Sequence, residues 1–130
     1  MNIGLGNQRR TILLVDADPH ARAVLRNALE AAGFSVGEAA NGRDGERTAR
    51  RIKPDAILAD LIMETVDGGG AITDKLQASG SRIPVYIVSN AADALVGSVG
   101  LHELGVAGIF LKPVDLAVVV QTMKTRLGVR

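Results

Sequence analysis

Apolar residues along the chain fall into five short blocks separated by longer polar or amphipathic stretches: Thr11 to Val15, Phe34 to Ala39, Ala56 to Ala59, Ile83 to Val88, and Gly108 to Leu111. The third block enters after Pro54 and stops abruptly on Asp60, without the polar alternation of a strand that has one wet face. Such a run suits a parallel strand covered on both sides. The second block is interrupted by Gly37, which places it near a sheet edge.

The stretches between the blocks read as helices. Asp18 before Pro19 is an N-cap followed by proline at the first helical position, and Gly33 supplies the stop. Between them Ala21, Val24, Leu25, Ala28, Leu29 and Ala32 form an apolar stripe at helical spacing. Asn41-Gly42 makes a turn into a basic helix, Arg43 to Lys53, whose apolar positions are Ala49 and Ile52. A third helix runs from Gly68-Gly69-Gly70 through Ile72 and Leu76 to Gly80. A fourth, Ala91 to Leu104, carries Gly97 and Gly100, each costing about 1 kcal/mol against alanine in a helix interior. Asp115 caps the last, whose buried face is Leu116, Val119, Val120, Met123 and Leu127.

Five strand-then-helix units joined by short connections predict one α/β domain over 11–130, preceded by a flexible tail over 1–10. Strands that follow one another this way make a parallel sheet with right-handed crossovers and helices on both faces, a three-layer sandwich. In a doubly wound sheet of order 2-1-3-4-5, the first and third strands are neighbours at the topological switch point. The residues ending the strands then line one crevice: Asp16 and Asp18 after the first, Asp60 after the third, Ser89 after the fourth and Lys112 after the fifth. Taken singly, Asp60 is a turn or capping aspartate; the company it keeps is what changes its meaning.

Acids, a hydroxyl and a lysine around one crevice suit phosphoryl transfer to a carboxylate. The acids hold Mg²⁺, Asp60 attacks, and Lys112 and Ser89 contact the phosphoryl oxygens. No general base is required, because a carboxylate is already ionised at neutral pH.

Composition narrows the alternatives. With no cysteine there is no disulfide, thiolate metal site or cysteine nucleophile, and a net charge of +1 makes no strong claim on nucleic acid. Phe34, Tyr86 and Phe110 are the only aromatics, too few for a base-stacking platform. No apolar run approaches the roughly 20 residues of a membrane span, so a soluble, cytoplasmic protein is expected. A small nucleotide-binding enzyme is disfavoured, since acids stand where a glycine-rich phosphate loop would follow the first strand. His20 and His102 fall in predicted helices away from the crevice and are read as surface residues.

The motifs ILLVDADP, PDAILADLIM with DG four residues later, PVYIVSNA and GIFLKP, in this order and spacing, resemble the receiver domains of two-component response regulators over residues 10–128. The resemblance implies a flavodoxin-like (βα)5 fold and a signalling switch rather than an enzyme. It makes Asp60 the phosphoacceptor, Ser89 the switch hydroxyl and Lys112 the phosphate-sensing lysine, with a cis Lys112-Pro113 peptide. Phosphate would come from the phosphohistidine of a sensor histidine kinase or phosphotransfer protein.

The chain departs from the family pattern at three places. Ala17 occupies the position of the second acid after the first strand, leaving Mg²⁺ to Asp16, Asp60, the Ile62 carbonyl and water. Asp18 lies one residue further on and reads as a helix cap sooner than as a replacement ligand, so weak Mg²⁺ binding is expected. Glu64 adds negative charge where proline is common, and Ile109 stands where an aromatic switch residue is usual. These departures keep a second reading open, a pseudo-receiver that docks proteins without being phosphorylated and keeps Asp60 and Lys112 as an ion pair. In either case the signal passes to an output protein or domain outside this sequence. The expected docking face is the fourth helix, fifth strand and last helix, which also offers a surface for a second copy.

Overall fold

The computed structural model describes residues 9–60, 82–90 and 106–129. Within them the chain forms β1 (Thr11–Val15), α1 (Pro19–Ala31), β2 (Ser35–Ala39), α2 (Gly42–Ile52), β3 (Ala56–Asp60), β4 (Val85–Ser89), β5 (Gly108–Leu111) and α3 (Leu116–Leu127). The strands make a five-stranded sheet in the order β2-β1-β3-β4-β5, every pairing parallel. This is the predicted topology, with β2 at one edge as Gly37 suggested. The expected helices over 72–79 and 91–104, and with them Ile62, Glu64 and His102, lie outside the described residues.

Strand alternation divides the core into two layers. Ile12, Leu14, Leu58, Tyr86 and Val88 face α1 and α3, where they meet Leu25, Leu29, Val119 and Met123. Leu13, Val15, Ile57, Ala59, Val85 and Ile87 face the other way, toward Ala49 and Ile52 of α2. Burial on both faces explains why β1, β3 and β4 lack polar alternation. Of the predicted stripe of α3, Val119 and Met123 are buried, and Leu116, Val120 and Leu127 pack against the core partly buried. On α1 the stripe is narrower than predicted: Leu25 and Leu29 carry it, and Val24 is 38% exposed at its border.

The helix ends follow from local chemistry. Asp18 accepts the His20 N–H at 2.9 Å and caps α1, and Asp115 accepts the N–H groups of Ala117 and Val118 to cap α3. After α1, Gly33 sits at φ +100°, a conformation in which only glycine avoids strain, and Phe34 turns into the core behind it. Asn41 is more than a turn residue: its side chain accepts the Asp44 N–H at 2.8 Å and caps α2. The basic face of α2 is a solvated surface, with Arg50 paired to Glu46 at 2.8 Å.

Candidate functional site

The carboxyl ends of β1 and β3 adjoin. Their last paired residues are Val15 and Ala59, so the next residues, Asp16 and Asp60, come side by side at the point where successive strands are laid down to opposite sides of β1. Both are nearly buried, at 9% and 8% exposure. From the far edge of the sheet, just past β5, Lys112 brings its Nζ to 2.8 Å from Asp60 Oδ2. The Lys112–Pro113 peptide is cis, as the resemblance implied. Three of the five crevice residues therefore gather, and alternation along the strands sets all three on the face that carries α1 and α3.

The remaining two are used differently. Asp18 spends its carboxylate on the α1 cap, while its own N–H donates to Asp16 Oδ1 at 2.8 Å. Ser89, 2% exposed, ends β4 in phase with Val85 and Ile87, on the opposite face of the sheet, and its hydroxyl donates to the Asn90 carbonyl at 3.1 Å. The backbone still joins it to the lysine segment, because Lys112 N–H donates to the Ser89 carbonyl at 2.7 Å.

Electrostatics set Asp16 and Lys112 apart from their free counterparts. Burial pushes the Asp16 carboxyl above its ordinary value of 3.8, and the neighbouring Asp60 charge adds to that push. The Asp60 hydrogen bond holds Lys112 above its ordinary 10.5, so the ammonium stays charged. Among the described residues the Lys112 ammonium feels the charges of Asp60, Asp16 and Asp18, and a divalent cation with a taste for hard oxygen donors would suit so acidic a strand end. The residues present fit Mg²⁺ in that sense, although among the described residues no three His, Cys, Asp or Glu groups cluster as a metal site.

Beside the acids, a pocket of about 290 Å³ opens between α1 and the segment after β5, with Asp16 and Lys112 on its rim and Ala21, Val24 and Leu116 in its walls. Sequence reasoning missed one participant. Arg22, in the first turn of α1, donates from Nη1 to the Asp16 carbonyl and from Nε to Glu38 Oε1 at 2.9 Å. Its place four residues into a helix that starts beside the acids was the available signal.

Ile109 and Phe110 point to opposite layers, as alternation along a strand requires. Ile109 packs with the α2-side core and Phe110 with the other, where its ring stacks on Tyr86 with centroids 5.6 Å apart.

Comparison with known proteins points the same way. The family model for the response regulator receiver domain matches residues 12–124. The transcriptional regulatory protein PrrA of Mycobacterium leprae is 33% identical over 98% of this chain and 53% of its own length. Protein PilH of Pseudomonas aeruginosa is 35% identical over 90% of this chain and 97% of its own. The chain thus spans about half the length of the first of these relatives and nearly all of the second. The crystal structure of a response regulator from Desulfuromonas acetoxidans superposes with a TM-score of 0.80 at 25% identity, covering 92% of this chain and 97% of that one.

Proposed function

The chain belongs to the response regulator receiver domain family, and from that premise we propose that it accepts a phosphoryl group on Asp60 and passes the change to a protein partner. The donor is the phosphohistidine of a sensor kinase or phosphotransfer protein. In the transfer the P–N bond of the donor breaks as a P–O bond to Asp60 forms, and the donor histidine leaves as a neutral imidazole once protonated from solvent. The observation that carries this reading is the pairing of Asp60 with Lys112 at 2.8 Å beside a second buried acid, Asp16.

Each residue has a distinct part. Asp60 is the nucleophile and needs no base. Lys112, fixed by its hydrogen bond, offers a permanent cation to the incoming phosphoryl oxygens. Asp16 and Asp60 would hold Mg²⁺, with the Ile62 carbonyl as a further ligand; the ion, when bound, offsets negative charge on the acids and on the phosphoryl group. Ser89, buried at the β4 end and bonded to Asn90, is the hydroxyl that would have to turn from its own face of the sheet to exchange that bond for one to phosphate. With alanine at 17, fewer carboxylates serve the metal and its affinity should be low.

The output side of the reading rests on Leu111 and Val118. These apolar side chains of β5 and α3 are 50% and 51% exposed, each an apolar position open to an output protein or domain, or to a second copy of the chain.

Ala17 and the closed Asp60–Lys112 pair also suit a phosphorylation-independent docking module. Mass spectrometry after incubation with acetyl phosphate, with and without Mg²⁺, separates the two. The receiver reading expects a phosphate-sized gain that requires Mg²⁺ and is lost in Asp60→Asn. Folded protein that gains nothing at high millimolar Mg²⁺ is the docking module instead.

A further inference from the structure

We propose that Arg22 is a positioning residue for the acid pocket: by bridging the Asp16 carbonyl to Glu38 of the edge strand, it sets where the Asp16 carboxylate stands. The functional consequence rests on the receiver reading, since it concerns the acid that would hold Mg²⁺.

The bridge is built from fixed parts. Arg22 lies on α1 and is mostly buried, with 17% of its side chain exposed. Its planar guanidinium donates through Nε to Glu38 Oε1 and through Nη1 to the Asp16 carbonyl, so one rigid fork ties helix, edge strand and acid loop together. Glu38 is itself held from the far side, its other oxygen accepting from Arg26 Nη1. Asp16 is thereby secured at three points: its N–H donates to the Ala39 carbonyl at 3.0 Å, its carbonyl accepts from Arg22, and its Oδ1 accepts the Asp18 N–H.

The role is geometric more than electrostatic. Arg22 is neutralised by Glu38 as Arg26 is by Glu30 and Glu38, so the cluster adds little net charge to the pocket. What it fixes is the 16–17 peptide. Alanine at 17 leaves Asp16 as the acid of that turn not committed to a helix cap, so an error in its placement has no neighbouring carboxylate to absorb it. Groups that orient a metal ligand without touching the metal are commonly worth an order of magnitude or more in affinity.

The test compares wild type with Arg22→Lys, Arg22→Met, Glu38→Gln and, as a control, Arg26→Lys, which leaves the Arg22 fork in place. Two quantities are read: hydrogen exchange at the Asp18 amide without metal, and Mg²⁺ affinity by NMR titration. Arg22→Lys and Arg22→Met should each speed Asp18 exchange and weaken Mg²⁺ by about tenfold, with Glu38→Gln intermediate and Arg26→Lys close to wild type. Lysine keeps the charge but not the fork, so wild-type behaviour in Arg22→Lys overturns the proposal. If the Arg22 variants do not fold, Glu38→Gln decides: unchanged exchange and affinity overturn it. Wild type that neither binds Mg²⁺ nor becomes phosphorylated defeats the receiver reading instead, and the Asp18 exchange then decides the positioning role alone.

Discussion

Lys112 Nζ lies 2.8 Å from Asp60 Oδ2, though the two stand 52 positions apart in the chain. The lysine comes from the last strand end and the acid from the central strand, so the contact exists only once the sheet is complete. Replacing Lys112 by methionine should slow phosphorylation by acetyl phosphate roughly 100- to 1000-fold, the scale of losing one preorganised donor at a reacting group. Intact-mass time courses at saturating Mg²⁺ measure this, and an unchanged rate would remove Lys112 from the reaction. The pair's contribution to stability is present below pH 10.5 and fades as pH rises through the raised lysine value.

Asp16 should oppose folding at neutral pH when metal is absent. Burial holds its carboxyl above 3.8 in the folded chain, so the folded state binds a proton more readily than the unfolded one. Stability then falls as pH rises from 3.8 through the raised value and stays lowered above it. Asp16→Asn is expected to melt higher than wild type at pH 7 without Mg²⁺, with the advantage shrinking to nothing below pH 3.8. Thermal unfolding by circular dichroism across that range checks it. Saturating Mg²⁺ should reverse the order by stabilising wild type alone.

Gly37 lets α2 sit close to the edge strand. A Cβ there would stand 2.8 Å from Ile52 Cδ1, inside contact distance. Gly37→Val should cost about 1 kcal/mol in urea unfolding, because the atom it meets is the movable end of a side chain. In an Ile52→Val background, which deletes the colliding methyl, the same change should cost at least about 0.5 kcal/mol less. Strict additivity would mean that the two residues do not meet.

Leu111 and Val118 supply a direct test of the output face. Leu111→Ser with Val118→Ser should leave the unfolding free energy within about 1 kcal/mol of wild type, as befits two exposed positions. Association of the phosphorylated protein with itself, followed by sedimentation velocity, should be weakened in the same variant. Equal association of both proteins would place the contact elsewhere.

Much of this molecule could be read from local signals. Uninterrupted apolar runs such as Ile57 to Ala59 announced strands buried on both faces, and Asp18-Pro19 and Asp115 marked helix starts, because caps and two-sided burial depend on neighbours in sequence. Asn41 was legible only as a turn. The basic helix after it was expected to start at Arg43, but it starts at Gly42, which makes Asn41 its cap; Gly42, Gly45 and Ala49 bury α2 through small residues that a hydrophobic pattern does not register.

The sequence by itself determined which residue ends each strand, and the alternation of strand and helix forced a parallel sheet that collects those ends along one edge. Which of them meet was decided by tertiary structure. Strand phase sends Asp60 to one face and Ser89 to the other, and a side chain six residues beyond Asp16 turns back to hold its carbonyl. Such outcomes depend on register and on the reach of long side chains across elements. Neither quantity is written in the spacing of residues along the chain.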